Sequence, residues 1–236
     1  MKISKATARG ARSYQEDRYL VFSTIMGTYL GVWDGHGGAE CAALCAKALP
    51  SILTNDPSLS YALDELNKMT RTMRAGSTAS LVFIPKDESR VDVAVLGDSP
   101  VLVSRPDGSI WVSPEHNVRT NEAEADAAIK RGGFLAQGYL FADYSGDGLQ
   151  MSRALGDYEL DRVLSREPEV FSLALYKGKF VLMCSDGAVD PSHAAAKASI
   201  ESIVALVEDG GDAQEIVERA LAAKTGDNVT AILVRL

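Results

Sequence analysis

Four short stretches of the chain set an acidic residue beside glycine or at the mouth of an apolar run: Glu16-Asp17, Asp34-Gly35, Ser185-Asp186-Gly187 and Gly226-Asp227-Asn228. Asp34 and Asp186 each follow a strongly apolar run, residues 29–33 and 180–184, whereas Glu16-Asp17 and Asp227 each precede one. If the neighbouring strands are antiparallel, strand ends and strand starts share one sheet edge, and the carboxylates can converge there. Gathered carboxylates repel one another, and bound cations offset that repulsion. The donors are all oxygen, with no His/Cys set to suit zinc, so Mg²⁺ or Mn²⁺ is the expected ion. Two such ions about 3.5 to 4 Å apart can share a carboxylate and a bridging water, whose pKa falls enough to supply hydroxide near neutral pH. That is an apparatus for hydrolysing phosphate esters. In the run Asp34-Gly35-His36-Gly37-Gly38 the glycines let the backbone turn where a Cβ would clash, so a carbonyl oxygen can also face an ion and His36 can stand beside it. Any one of these strings alone reads equally well as a turn or a helix cap. Four of them, together with Arg12 and His36, do not.

Strands and helices must position these groups. Residues 18–24 and 28–33 are rich in β-branched and aromatic side chains and flank Ile25-Met26-Gly27, which predicts strand, tight turn and strand. Cys41, Leu44/Cys45, Ala48/Leu49 and Ile52 recur at helical spacing, with Pro50 expected to end or kink that helix. Leu59, Leu63, Leu66, Met69 and Met73 form a second helical stripe, read as a core face. A strand-dense block follows at 77–84, 91–96, 101–104 and 109–112, with Pro106-Asp107-Gly108 as a hairpin turn. Asn121 with Glu124 caps a helix ending at Gly132-Gly133, and Asp212 with Glu215 caps one through Ala222. Between them lie a strand at 179–184 and a helix from Pro191 to about Val207, and the last strand is 229–236. Two early helices, two or three late ones and roughly ten strands, without βαβ alternation, imply an α+β sandwich whose helices cover the sheet faces.

Composition narrows the function classes. The chain has 236 residues, 46% hydrophobic and 24% charged, enough to bury a full core. Its 24 basic and 32 acidic residues give a net charge of −8 with no basic cluster, which argues against a nucleic-acid partner. No apolar run approaches the roughly 18 to 20 residues that span a bilayer, and residues 1–12 lack the apolar stretch of a signal peptide. The expectation is therefore a soluble cytoplasmic protein with no membrane partner. Cys41, Cys45 and Cys184, an odd number without CxxC spacing, read as reduced, buried thiols. Asp143, Ser145, Asp147 and Gly148 match the opening of an EF-hand loop, but the twelfth position is Ala154 where a bidentate glutamate is required, so an exposed polar loop is the better account. With no linker, internal repeat or composition break, one domain is expected to span 1–236.

Further motifs fall in order around the four acidic ones: Arg12-Ser13-Tyr14-Gln15-Glu16-Asp17, Asp34-Gly35-His36-Gly37-Gly38, Gly76-Ser77-Thr78-Ala79, Leu96-Gly97-Asp98-Ser99, Ser152-Arg153-Ala154-Leu155-Gly156-Asp157, Cys184-Ser185-Asp186-Gly187 with Asp190, and Asp227-Asn228-Val229-Thr230. In this set, which runs from residue 12 to residue 230, the chain resembles the metal-dependent protein serine/threonine phosphatases of the protein phosphatase 2C family. The resemblance implies a four-layer α-β-β-α sandwich, a central antiparallel β-sandwich flanked by helix pairs, as a single catalytic domain. It also implies hydrolysis of phosphoserine and phosphothreonine in protein substrates by a monomer carrying two Mn²⁺ or Mg²⁺ ions and a weaker third.

By motif position, Asp34 would bridge the two ions, Asp186 and Asp227 would complete one, and Glu16 and the Gly35 carbonyl would serve the other. Asp17 would orient ligands through water, and Asp98, Asp186 and Asp190 would hold the third ion. Arg12 matches the phosphate-binding arginine, and its planar fork suits two phosphate oxygens. A hydroxide bridging the ions would attack phosphorus in line while His36 protonates the leaving oxygen. Arg153, Asp157 and His116 are read as structural, the first two through salt links, and His193 as exposed. The chain departs from the family at Pro100, where arginine is usual, and at Ala188-Val189, where Leu-Trp is usual. Its 158–168 segment is short where the family carries a variable lid, which suggests an open centre. Two other readings keep the same residues: a pseudophosphatase that binds partners without metals, and a phosphohydrolase of small phosphate esters.

Overall fold

The computed structural model describes residues 1–144, 146–175, 178–190 and 196–236. In chain order its elements are β1 (Lys2–Ala8), β2 (Arg18–Ser23), β3 (Gly27–Trp33), β4 (Gly35–His36), α1 (Glu40–Asn55), α2 (Leu59–Thr70), β5 (Gly76–Ser77), β6 (Ala79–Pro85), β7 (Arg90–Leu96), β8 (Val101–Ser104) and β9 (Ile110–Val112). There follow α3 (Glu122–Lys130), β10 (Phe134–Ala136), β11 (Tyr139–Phe141), β12 (Leu155–Gly156), β13 (Glu169–Ala174), β14 (Phe180–Cys184), α4 (Asp186–Val189), α5 (Ala196–Glu208), α6 (Ala213–Ala222) and β15 (Val229–Arg235).

Side-chain alternation along the strands builds the layers. In β3, Leu30 and Val32 point one way and join Val82, Ile84, Val93 and Val95 in a core between two sheets. Tyr29 and Trp33 point the other way and join Leu81, Ala94 and Leu96 against α1 and α2. The sheet is ordered β13-β7-β6-β3-β2, all antiparallel. The opposing sheet, β1-β15-β14-β8-β9, sends Val101, Val103, Val181, Met183, Ile232 and Val234 into the shared core. Its outward residues Leu102, Phe180, Leu182, Ala231 and Leu233 meet Ile203 and Val207 of α5 and Ile216, Val217 and Ala220 of α6. The layering is helix, sheet, sheet, helix, the α+β sandwich expected from the sequence. Strands buried on both faces read as continuous apolar runs, which is why β3, β6 and β14 are plain in the sequence.

Some boundaries differ from expectation. The helix over Pro50 is not ended there: α1 runs on to Asn55, although proline removes one backbone donor. Leu49 and Leu53 flank the proline and are buried in the core, and that packing outweighs the lost bond. Helix α2 stops at Thr70, so Met73 lies just beyond it, still packed on the same core. Strands β1 and β13 are additions to the sequence reading; both are edge strands, exposed along part of their length. The Asn121 cap accepts from the Glu124 amide, and Asp212 with Glu215 forms a reciprocal capping box, as expected. The start of the helix placed at Pro191, with His193, lies outside the described residues. Among the described residues no helix is long and apolar enough to cross a membrane. Cys41, Cys45 and Cys184 are buried and unpaired, in keeping with core thiols.

Leu30, fully buried between the sheets, gives the simplest test of the layering. Leu30→Ala should cost about 2 to 5 kcal/mol in urea unfolding with an unchanged m value, because it opens a cavity where both sheets are held by their own ladders.

Candidate metal centre

Antiparallel register brings the predicted acids to one edge. Arg18 pairs with Trp33, so Asp17 and Asp34 flank the same end of β2 and β3. In the other sheet Cys184 pairs with Ala231, which sets Asp186, just after β14, near Asp227, just before β15. Ala79 pairs with Leu96, so Asp98 follows β7 at the same end of the first sheet. Arg12, Asp34, Gly35, His36, Asp98, Asp186 and Asp227 all line one open cleft of about 380 Å³. Glu16 and Asp17 sit behind its wall, 4% and 3% exposed. Asp190 lines instead a smaller cavity of about 200 Å³, which Asp98 and Asp186 also reach.

Each acid is held by neighbours from distant parts of the chain. The Asn228 carboxamide accepts from the Glu16 amide at 2.7 Å and donates to the Arg9 and Tyr14 carbonyls at 2.8 and 3.1 Å, pinning the N-terminal loop to the start of β15. Asp17 Oδ2 accepts from the hydroxyls of Ser185 (2.8 Å) and Thr230 (2.7 Å), so a carboxylate from one sheet is fixed by the other. The Asp34 amide donates to the Thr78 hydroxyl at 3.0 Å, and its carbonyl accepts from the Thr78 amide at 2.9 Å. Glu16 Oε1 accepts from the Gly38 amide at 2.6 Å. A side chain at Gly35 would come within 2.7 Å of the Glu16 carbonyl oxygen, so glycine is needed for the two loops to meet. Arg12 donates to Asp227 Oδ2 at 2.6 Å and to the Gly226 carbonyl at 3.2 Å, and lies 3.8 Å from Glu16.

This packing is electrostatically costly. Burial, and then the charges of Asp186, Asp17, Asp227 and Asp98, hold the Asp34 carboxyl well above its ordinary value. Burial followed by Asp98 and Asp227 does the same to Asp186. Burial pushes Asp17 up to about 6 against the pull of its two hydroxyl partners. Burial also raises Asp98, although Asn117 donates to it at 2.9 Å. Two carboxylate oxygens, Asp17 Oδ1 and Asp186 Oδ1, are buried with no hydrogen-bond partner. Unmatched buried lone pairs in an all-oxygen donor set fit hard divalent cations, which would supply the missing partners and the missing positive charge.

His36 enters the cleft from the other side. Its Nε2 lies 2.8 and 3.0 Å from the two carboxylate oxygens of Asp157, and its Nδ1 is buried without a partner. Burial works against the imidazolium, but the Asp157 hydrogen bond and charge, with Asp98 and Glu16, outweigh it and raise the His36 pKa. Asp157 is thus salt-linked as expected, but to the candidate acid itself. Asp157 stands at the end of a sequence motif, but nothing local to it points to His36 as its partner.

Arg153 and His116 belong elsewhere. His116, Glu124 and Glu169 form a compact trio that could hold a cation on geometry alone. The Arg153 guanidinium already bridges it: Nε lies 3.1 and 3.2 Å from the Glu124 oxygens, and Nη2 reaches both Glu124 and, at 3.2 Å, Glu169. His116 Nδ1 accepts from the Gly97 amide at 3.0 Å. A resident guanidinium disfavours a second cation, and the trio is a structural link. In the EF-hand-like loop, Asp147 is exposed and lies 3.9 Å from Arg74, while Ser145 falls outside the described residues. In the short 158–168 segment, Leu160, Val163 and Leu164 pack in a cluster with Ala125 and Ala128 of α3, and it is Tyr139 and residues 148–151, not this segment, that line the cleft.

Comparison with known proteins sets this arrangement in context. The family model described as "Protein phosphatase 2C" matches residues 23–229. Probable protein phosphatase 2C 69 of Arabidopsis thaliana is 31% identical over 252 residues, covering 98% of this chain and 68% of that protein. Probable protein phosphatase 2C 11 of the same plant is 29% identical, covering 98% and 65%. A solved C. elegans sex determining protein superposes with a TM-score of 0.81 at 28% identity, covering 98% of this chain and 64% of that one. The chain spans about two thirds of the length of these curated relatives.

The raised acids set the sign of the pH dependence. Between 3.8 and about 6 folded Asp17 keeps a proton that the unfolded chain has lost, so its contribution to stability falls as pH rises through that window. Asp34 and Asp186, also raised, act in the same direction. In chelator, the melting temperature should therefore fall from pH 5 to pH 7.5. Added Mn²⁺ should raise it more at pH 7.5 than at pH 5, because protons and cations compete for the same oxygens. Calorimetry showing no Mn²⁺ effect at either pH would contradict this reading of the cluster.

Proposed function

The chain belongs to the protein phosphatase 2C family, and from that membership we propose that it hydrolyses phosphoserine and phosphothreonine in proteins, with residues 1–236 acting as one catalytic domain. The observation that carries this reading is the convergence of Asp34, Asp186 and Asp227 with Arg12 and His36 on one cleft. When bound, a pair of Mg²⁺ or Mn²⁺ ions supplies the Lewis acidity that makes water nucleophilic near neutral pH and polarises the phosphoryl group.

The chain's own residues divide the remaining work. Asp34, within reach of the charges of Asp186, Asp17, Asp227 and Asp98, would be shared by both ions. Asp186 and Asp227 would complete one donor set, and Glu16 with the Gly35 carbonyl the other. Asp17 would hold that frame by linking the two sheets through Ser185 and Thr230. A weaker third ion would fall to Asp98, Asp186 and Asp190, which share the smaller cavity. Arg12, at the cleft beside Asp227 and Glu16, would grip two phosphoryl oxygens with its planar fork and orient the ester. His36, whose imidazolium is favoured by Asp157, would give a proton to the seryl or threonyl oxygen as the P–O bond breaks.

The test is turnover by the purified full chain with Mn²⁺ on a phosphothreonine peptide. Wild-type protein should release phosphate, chelation should stop it, and Asp34→Ala should lower kcat/KM by more than about 100-fold while the fold survives. Phosphate release that is unaffected by Asp34→Ala would sink the assignment, as would a folded wild-type protein that binds Mn²⁺ and turns over nothing. Strong preference for a small phosphate ester over the peptide would move the substrate class but keep the chemistry.

A further inference from the structure

The contact between His36 and Asp157 is built with more constraint than a structural ion pair requires, and we infer that Asp157 is a positioning residue for His36 in the phosphatase reaction proposed above, on which this inference rests. Three two-residue strands, ordered β12-β5-β4, make the frame. His36 pairs with Gly76, and Gly76 pairs with Gly156, so the imidazole and the residue before Asp157 stand on either side of one glycine. Asp157 then adopts a left-handed backbone, φ 51° and ψ 51°, which a residue with a side chain rarely takes. The amide of Tyr158 is tied to the Met73 carbonyl at 3.0 Å, which holds that turn in place. The result is a carboxylate, 8% exposed, folded back across Gly76 onto His36 Nε2.

Gly76 shows how closely the pair is enclosed. A Cβ built at Gly76 would overlap both Asp157 Oδ2 and His36 Nε2, so no other residue can stand beneath this contact without displacing it. The His36–Asp157 contact therefore rests on one residue with a bare backbone and another in a strained one. Accepting from Nε2–H, the carboxylate fixes the plane of the ring and keeps a proton on that nitrogen, as second partners of functional imidazoles do. Nδ1 is buried without a protein partner, so Asp157 is the one protein group that orients the ring through a hydrogen bond among the described residues.

The chemistry makes the role measurable. When the P–O bond breaks, a serine or threonine oxygen needs the proton that the imidazolium gives up; the ring is left neutral and regains a proton from water. A p-nitrophenolate leaves with little need of a proton. An oriented His36 therefore matters for alkyl leaving groups far more than for this aryl one. A residue needed only for folding or for the metal centre would affect both alike.

The experiment uses the full chain with Mn²⁺ and two substrates, a phosphothreonine peptide and p-nitrophenyl phosphate. Asp157→Asn should lower kcat about 30-fold on the peptide and about threefold or less on the aryl ester, a roughly tenfold change in selectivity. Equal losses on both substrates would overturn the inference. A second arm combines Asp157→Asn with His36→Gln: on the peptide the double variant should lie within about twofold of His36→Gln alone. Losses that multiply would show that Asp157 acts independently of His36 and would also overturn it. A wild-type protein inactive on both substrates would instead remove the phosphatase reading.

Discussion

Asp17, Asp34, Asp98 and Asp186 are brought to one edge of a β-sandwich beside Asp227, where burial and the neighbouring acids oppose the charged forms of these four. Like charges in a poorly solvated site favour either protonation or separation. The fold permits neither separation nor escape, because the acids sit where strands of two different sheets begin and end. Much of the architecture follows from this one demand. The register of β2 on β3 and of β14 on β15 fixes which residues reach the edge, and a slip of one position would turn each acid to the opposite face.

The force that holds the edge together comes from elsewhere. Three large apolar cores, one between the sheets and one under each helical layer, supply the stabilisation that offsets the repulsion. Polar links then set the fine geometry. Asn228 joins the N-terminal loop to the C-terminal strand, and Asp17 joins one sheet to the other through Ser185 and Thr230. These contacts span more than 160 residues of chain, so the site exists only once both sheets have closed on each other.

The inner strands and the acids were legible in the sequence for the same reason: both leave strong local signals. A strand buried on both faces is a run such as 29–33, and an acid at its end is the next letter. The capped helices α3 and α6 were equally plain, since Asn121 and Asp212 act within a few residues of themselves. The edge strands β1 and β13 were not, because each is only half supported by a neighbour and mixes exposed with buried positions. Pro50 misled because tertiary packing overrode a local rule. The pairing of Asp157 with His36 was out of reach, for it depends on a register across 121 residues that no local pattern encodes. Neither did the sequence indicate that Arg153 would occupy the trio of His116, Glu124 and Glu169.

The central claim is that the gathered carboxylates form a cation site and that the neighbouring trio does not. Crystals of the full chain grown with Mn²⁺ and measured at the manganese absorption edge would locate the ions directly. Anomalous peaks should lie in the cleft among Glu16, Asp34, Asp186 and Asp227. A cleft without peaks at saturating Mn²⁺, or a peak confined to His116, Glu124 and Glu169, would contradict the account.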